Sequence, residues 1–195
     1  KQTGRLKQSL VAIQKSVQLI PQEAKAHYNL GLTLQELGRF IEAKACHEQA
    51  IKIDPNFAEA HYNLGNTLKE LSRQKEAKFS YKKAIELKPS YAEAHNNLGM
   101  LVQKMHKPSE AAVSYRKAIA IKPDLTEAYY NLGNALKEIG KFEEALMEYN
   151  KAIALKPNYV EAHNNLGITL KELGRLSEAN ACYRQAITLK PEYAE

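Results

Sequence analysis

The sequence predicts an all-α solenoid, a one-dimensional stack of helix-turn-helix units. Three observations carry that expectation. Pro21, Pro55, Pro89, Pro123, Pro157 and Pro191 stand 34 residues apart without a slip, and Gly31, Gly65, Gly99, Gly133 and Gly167 keep the same step. Within each period the apolar residues recur at helical spacing, and no segment shows the alternation of a half-buried strand. A fixed period without insertions means that every unit meets its neighbours in the same way, which makes a stack and not a globule.

Self-alignment divides the chain into a partial unit at 1–23, which matches only the second helix of a repeat, five full units at 24–57, 58–91, 92–125, 126–159 and 160–193, and the opening of another at 194–195. Gly4-Arg5-Leu6 parallels Gly38-Arg39-Phe40, and Tyr193-Ala194-Glu195 copies Tyr91-Ala92-Glu93. Both ends read as cuts through a longer array. Positions are counted below as places 1 to 34 of a unit.

The first helix of a unit, for example Ala58 to Leu71, gathers apolar or small residues at places 3, 7, 8, 10, 11 and 14 on one side. Gly38, Gly140 and Gly174 then stop it where a left-handed residue is cheap. The second helix, such as Lys75 to Leu87, repeats Ala at places 20 and 27 and an aromatic or His at 24, and the periodic prolines end it. Glu59, Glu93, Glu127 and Glu161 at helix starts, and Lys88, Lys122, Lys156 and Lys190 at helix ends, suit the helix dipole. Pro108 fits the first turn of its helix, where spare N–H groups make a missing donor harmless. A mid-helix glycine costs about 1 kcal/mol relative to alanine. The five place-8 glycines are therefore expected to permit close helix approach, each facing Ala43, Ala77, Ala111, Ala145 or Ala179.

These motifs, Asn-Leu-Gly in the first helix, Ala at places 20 and 27 and Pro at 32, resemble the tetratricopeptide repeat over essentially the whole chain. The resemblance implies a right-handed superhelical solenoid. RNA-reading pentatricopeptide units run at 35 residues, so the strict 34 argues against them. Asn63-Leu64-Gly65-Asn66-Thr67-Leu68-Lys69-Glu70 and Asn131-Leu132-Gly133-Asn134-Ala135-Leu136-Lys137-Glu138 are similar to the repeats that precede the catalytic domain of O-linked N-acetylglucosamine transferases. Some tetratricopeptide domains clamp a chaperone carboxylate with basic residues at place 2. Here place 2 holds Glu59, Glu93, Glu127 and Glu161, so that clamp is lacking.

Places 2, 5, 6, 9, 12 and 13 lie opposite the apolar side. Place 6 is nevertheless asparagine in every full unit: Asn29, Asn63, Asn97, Asn131 and Asn165. Asparagine is a poor helix former, about 0.6 kcal/mol worse than alanine, so an idle surface does not account for it. Two readings stand, recognition or a local hydrogen bond within the fold. An amide can pair with both N–H and C=O of an extended peptide. With first helices about 10 Å apart and about 3.4 Å per extended residue, rungs would meet about every third peptide residue. In the transferase repeats that these resemble, such an asparagine ladder holds polypeptide. Tyr28, Tyr62 and Tyr130 at place 5, Asn66 and Asn134 at place 9, and Lys69, Lys137 and Lys171 at place 12 complete the candidate peptide-binding set. Place 2 contributes −3, place 12 +3 and place 13 −3, so this face is mildly acidic although the chain carries +6.

The Lys and Arg residues are interspersed with Asp and Glu, so no basic run points to nucleic acid; binding of nucleic acid on the outer face is a third reading, tested by whether any affinity survives physiological salt. No apolar stretch approaches the roughly 18 residues of a membrane span. Cys46 and Cys182 share one place four units apart, too far for a disulfide, which suits a reducing, cytoplasmic compartment. His27, His61, His95 and His163 recur at place 4 on the packing side, one repeat apart, and cannot share a metal. No catalytic constellation or cofactor motif can be assembled, so a non-catalytic segment is expected. The function expected is polypeptide binding, as the recognition arm of a larger protein. The alternative is a spacer that stacks head to tail through apolar ends, with Leu6, Leu10 and Ile13 at the front and Tyr183 and Ile187 at the back.

Overall fold

The computed structural model describes the backbone of residues 2–194 and the side chains of 10–192. The described residues form eleven α-helices and no strand: α1 (Gln2–Leu19), α2 (Ala24–Glu36), α3 (Phe40–Ile53), α4 (Ala58–Glu70), α5 (Gln74–Leu87), α6 (Ala92–Lys104), α7 (Pro108–Ile121), α8 (Thr126–Glu138), α9 (Phe142–Leu155), α10 (Val160–Glu172) and α11 (Leu176–Leu189), followed by a short 3-10 turn. Packing divides the chain into two compact units, 1–94 and 95–195, the division falling inside α6. In the first, α1 packs on α2, α2 on α3, α3 on α4 and α4 on α5. In the second the same order runs from α7 to α11.

Three-residue turns close each hairpin. Gly38 N–H donates to Gln35 O at 3.0 Å and Arg39 N–H to Leu34 O at 2.8 Å, the pair of bonds of a Schellman ending. The same pair recurs after α4, α6, α8 and α10. It needs a left-handed residue at place 15, and Gly38, Gly140 and Gly174 supply one with φ of 72°, 78° and 73°. Ser72 and His106 take the same conformation with φ of 59° and 57°, without glycine's freedom. Pro108 opens α7 at its first turn, and every second helix ends two residues before its proline.

The core is made of the alanines at places 20 and 27 and the leucines of the first helices. Ala43, Ala77, Ala111 and Ala145 are wholly buried, as are Ala50, Ala84, Ala118 and Ala152. The place-8 glycines do not owe their identity to these alanines. A Cβ on Gly65 would lie 2.7 Å from the ring of Tyr81, and one on Gly31, Gly99, Gly133 or Gly167 would strike His47, Tyr115, Tyr149 or Tyr183 at 2.5 to 2.6 Å. The helix pairing sets place 8 under the ring at place 24, and the flat aromatic face takes the room of the missing side chain.

At the front, Leu10 is buried against Leu30, Leu34 and Ala43, with Ile13 packed beside it, so neither is an exposed stacking residue. Leu6 lies outside the described side chains. At the other end Ile187 is exposed and Tyr183 half-buried.

Candidate functional site

The amides of Asn63, Asn131 and Asn165 at place 6 sit on the edge of their first helix that meets the preceding first helix. That position gives them work inside the fold. Asn63 Nδ2 donates to Tyr28 Oη and to the Glu59 carbonyl, each at 3.0 Å, and Asn63 is 9% exposed. In the second unit Asn165 Nδ2 reaches Tyr130 Oη at 3.0 Å, and Asn131 Nδ2 reaches Asn96 Oδ1 at 3.2 Å. In these three cases the place-6 amide donates to the place-5 oxygen of the preceding repeat. The row is therefore not an idle surface. Its first member differs: Asn29 is exposed and its side-chain amide has no partner among the described residues. Asn97 is half-buried.

The place-5 tyrosines are half-buried, wedged between repeats. The Tyr28 ring lies 4.8 Å from Phe57, Tyr62 4.8 Å from Tyr91, and Tyr130 4.9 Å from Tyr159, in each case the residue that leads into the next first helix. Burial, then the Glu59 carboxylate, raises the Tyr28 hydroxyl pKa above its ordinary value, so Tyr28 stays protonated at neutral pH. Its oxygen accepts from Asn63, which leaves its proton available to an acceptor.

Place 9 serves the hydroxyl at place 24. Tyr81 Oη donates to Asn66 Oδ1 at 2.8 Å, and Tyr149 Oη to Asn134 Oδ1 at 2.8 Å. Met100 stands at place 9 of the third repeat, and there Tyr115 turns to place 12 and donates to Gln103 Oε1 at 3.0 Å. His47 replaces the tyrosine in the first repeat. It is wholly buried with neither ring nitrogen bonded, and burial lowers its pKa to about 4.

Among the place-12 lysines, Lys69 is half-buried with Glu70 at 3.4 Å. Lys137 is half-buried, and desolvation lowers its pKa against the opposing pull of Glu172. Lys171 is exposed. The structure thus brings Asn134, Asn165 and Tyr130 into one bonded group, with Asn165 Nδ2 also reaching Asn134 Oδ1 at 2.8 Å. A second group joins Tyr28, Asn63 and Asn66. Summing the inner-row acceptors and donors, Asn131 Oδ1, Asn165 Oδ1 and the hydroxyl protons of Tyr28 and Tyr130 remain unused among the described residues.

The place-4 histidines of α2, α4 and α10 pin those helices to the turn before them. His27, His61 and His163 place Nε2 at 2.9, 3.1 and 2.9 Å from the carbonyls of Pro21, Pro55 and Pro157. Lys88 Nζ meets Glu59 at 2.9 Å, which ties the end of α5 to the start of α4. No three His, Cys, Asp or Glu side chains gather as metal ligands among the described residues. Cys46 and Cys182 are free, half-buried thiols. No helix among the described residues is long and apolar enough to cross a membrane.

Sequence comparison with the curated proteins finds no match. The chain is similar to a solved structure of MamA, at 27% identity with a TM-score of 0.79, over 85% of this chain and 96% of that one. It shares the fold of YrrB, described as a TPR protein with an unusual peptide-binding site, at 24% identity and a TM-score of 0.79 over 94% of both chains. It also shares the fold of Pseudomonas aeruginosa PilF, at 21% identity and a TM-score of 0.85, over 97% of this chain and 86% of that one. A family model described as tetratricopeptide repeat matches residues 24–57, 58–91 and 160–193, more than half of the chain, and one described as TPR repeat matches 109–140 and 133–174. With its helix hairpins, Schellman endings and aromatic-over-glycine packing, the chain belongs to the tetratricopeptide repeat family.

Proposed function

We propose that the protein is an interaction module that holds an extended polypeptide along the inner faces of its first helices. The observation that carries this reading is the unused polar atoms in each unit taken by itself: the Asn29 amide and Tyr28 hydroxyl proton in the first, and the Asn131 and Asn165 carbonyl oxygens and Tyr130 hydroxyl proton in the second. Acceptors and donors fixed by internal bonds are pre-organised, and an extended backbone offers N–H and C=O groups to match them. Asn131 and Asn165 thus serve twice, their Nδ2 groups tying repeats together and their Oδ1 atoms left for the ligand. YrrB, which shares this fold and is described as having an unusual peptide-binding site, supports the reading. The Asn-Leu-Gly-Asn segments favour a role as the recognition arm of a larger protein, such as a glycosyltransferase.

Selection of a displayed random-peptide library on the immobilised protein tests the reading. Enriched peptides should bind an Asn29→Ala, Asn131→Ala, Asn165→Ala variant about ten-fold more weakly, with helical circular dichroism retained. Unchanged affinity, or a library that yields no binder, would refute it.

A further inference from the structure

One inner-face cavity departs from the repeat pattern. It lies between α2 and α4, has a volume of about 390 Å³, and is lined by Leu32, Gln35, Glu36, Phe40, Asn63 and Glu70. Leu32 and Phe40 give it apolar walls, and two carboxylates stand at its rim. Glu36 has no ion-pair partner among the described residues. The cation beside it in the chain, Arg39, is committed elsewhere, to Glu42 through bonds of 2.7 and 2.6 Å. Glu70 has only Lys69, at 3.4 Å. Gln35 turns its Oε1 toward Thr67 Oγ1 at 3.4 Å, so its carbonyl is drawn to α4 and its amide N–H groups are not used on Glu70.

The corresponding positions in the second unit show that this is not a property of every repeat. There Met100, Gln103, Lys104, Pro108, Asn131 and Glu138 occupy the same places. Lys104 stands where Glu36 does, and Gln103 Nε2 donates to Glu138 at 3.0 Å, which satisfies the carboxylate internally. At the next junction Lys137 replaces Gln35. Two carboxylates over an apolar wall, without a matching lysine at place 12 or 13 of the first repeat, are particular to α2 and α4.

We propose that this cavity is a specificity pocket for an arginine side chain of the bound polypeptide, an inference that rests on the inner-face reading above. The aliphatic stem would lie against Leu32. The guanidinium, planar and weakly hydrated, would stack on Phe40 and bond the two carboxylates. Lysine fits the charge but not the planar stacking, and an acidic side chain meets two like charges.

The test uses the full chain and four fluorescein-labelled eleven-residue peptides of Ser, Thr and Val that differ only at the central residue: arginine, lysine, citrulline or glutamate. Fluorescence anisotropy should show arginine bound about ten-fold more tightly than citrulline, the effect of two charge-assisted contacts. In the Glu36→Gln, Glu70→Gln variant that preference should fall below about two-fold, while citrulline binding is unchanged. At about 1 M salt, where the Debye length is about 3 Å, the preference should shrink likewise. A Tyr28→Phe, Asn29→Ala variant should weaken all four peptides and keep the arginine preference. If the arginine peptide does not bind, is not preferred, or keeps its preference in the double glutamine variant, the pocket is refuted. If Tyr28→Phe, Asn29→Ala leaves every affinity unchanged while the preference stays, the inner-face backbone reading fails instead.

Discussion

Two asparagines at the same repeat place should respond in opposite directions to the same substitution. Asn63 is 9% exposed and donates two hydrogen bonds, to Tyr28 Oη and Glu59 O, whereas Asn29 is exposed with no side-chain partner. Each lost bond costs about 1 kcal/mol net, and alanine regains about 0.6 kcal/mol of helix propensity. Asn63→Ala also removes the acceptor of Asn66 Nδ2, 3.3 Å away, and should therefore destabilise the protein by about 2.4 kcal/mol, a fall in Tm of roughly 5 to 10 °C for a chain of this length. Asn29→Ala loses nothing and should gain about 0.6 kcal/mol. Urea denaturation followed by circular dichroism measures both. A double-mutant cycle of Asn63→Ala with Tyr28→Phe isolates the inter-repeat bond, with an expected coupling of about 1 kcal/mol. Equal shifts for Asn29 and Asn63, or a coupling near zero, would show that the row does not tie the repeats together.

Three further outcomes follow from the same geometry. Ser72→Gly and His106→Gly relieve left-handed strain at φ of 59° and 57°, and each should stabilise by about 1 kcal/mol in thermal melting; a lower Tm in both would contradict the strain. The wholly buried Ala77 leaves no room for a larger side chain, so Ala77→Leu should cost about 1 to 3 kcal/mol, and an unchanged melting temperature would count against close packing at place 20. His47, with its pKa depressed to about 4 by burial, binds its proton less readily folded than unfolded, where the value is about 6.5. Its contribution is complete above pH ~6.5 and falls away as pH drops toward ~4, by about 3 kcal/mol in all. His47→Tyr should remove that acid sensitivity and find Gln35 as acceptor, as Tyr115 finds Gln103; an equally steep loss of stability between pH 6.5 and 4 in the variant would refute the assignment.

Much of the fold is legible in the chain because the repeat averages away local ambiguity. The prolines and place-15 glycines mark the helix ends, and the alternation of helix and turn needs no tertiary information. The partner of the place-8 glycine is not legible, since Ala77 and Tyr81 lie one helical turn apart and only the register of two helices decides which ring or methyl lies over Gly65. The role of Asn63 is hidden for a related reason. A helical wheel treats one helix alone, and on it place 6 faces away from the hairpin partner. It becomes an interior position only when the neighbouring first helix brings Tyr28 within 3.0 Å. Ser72 and His106 show the converse: the Schellman bonds impose a left-handed residue even where the sequence offers no glycine.

The place-5 to place-6 bond has a consequence for how such a chain changes length. Place 5 is tyrosine or asparagine in every full unit and place 6 is always asparagine, so any unit presents an oxygen to its successor and an amide to its predecessor. At the three junctions where the bond is seen, Tyr28 with Asn63, Asn96 with Asn131 and Tyr130 with Asn165, the coupling is the same. Whole units can be deleted, duplicated or shuffled without orphaning a partner, provided the seam falls after the proline, whereas a seam inside a hairpin would separate Tyr81 from Asn66 or Tyr115 from Gln103. Recombination between units is thereby steered toward products that differ in reach and in ligand pockets while sharing the same joints.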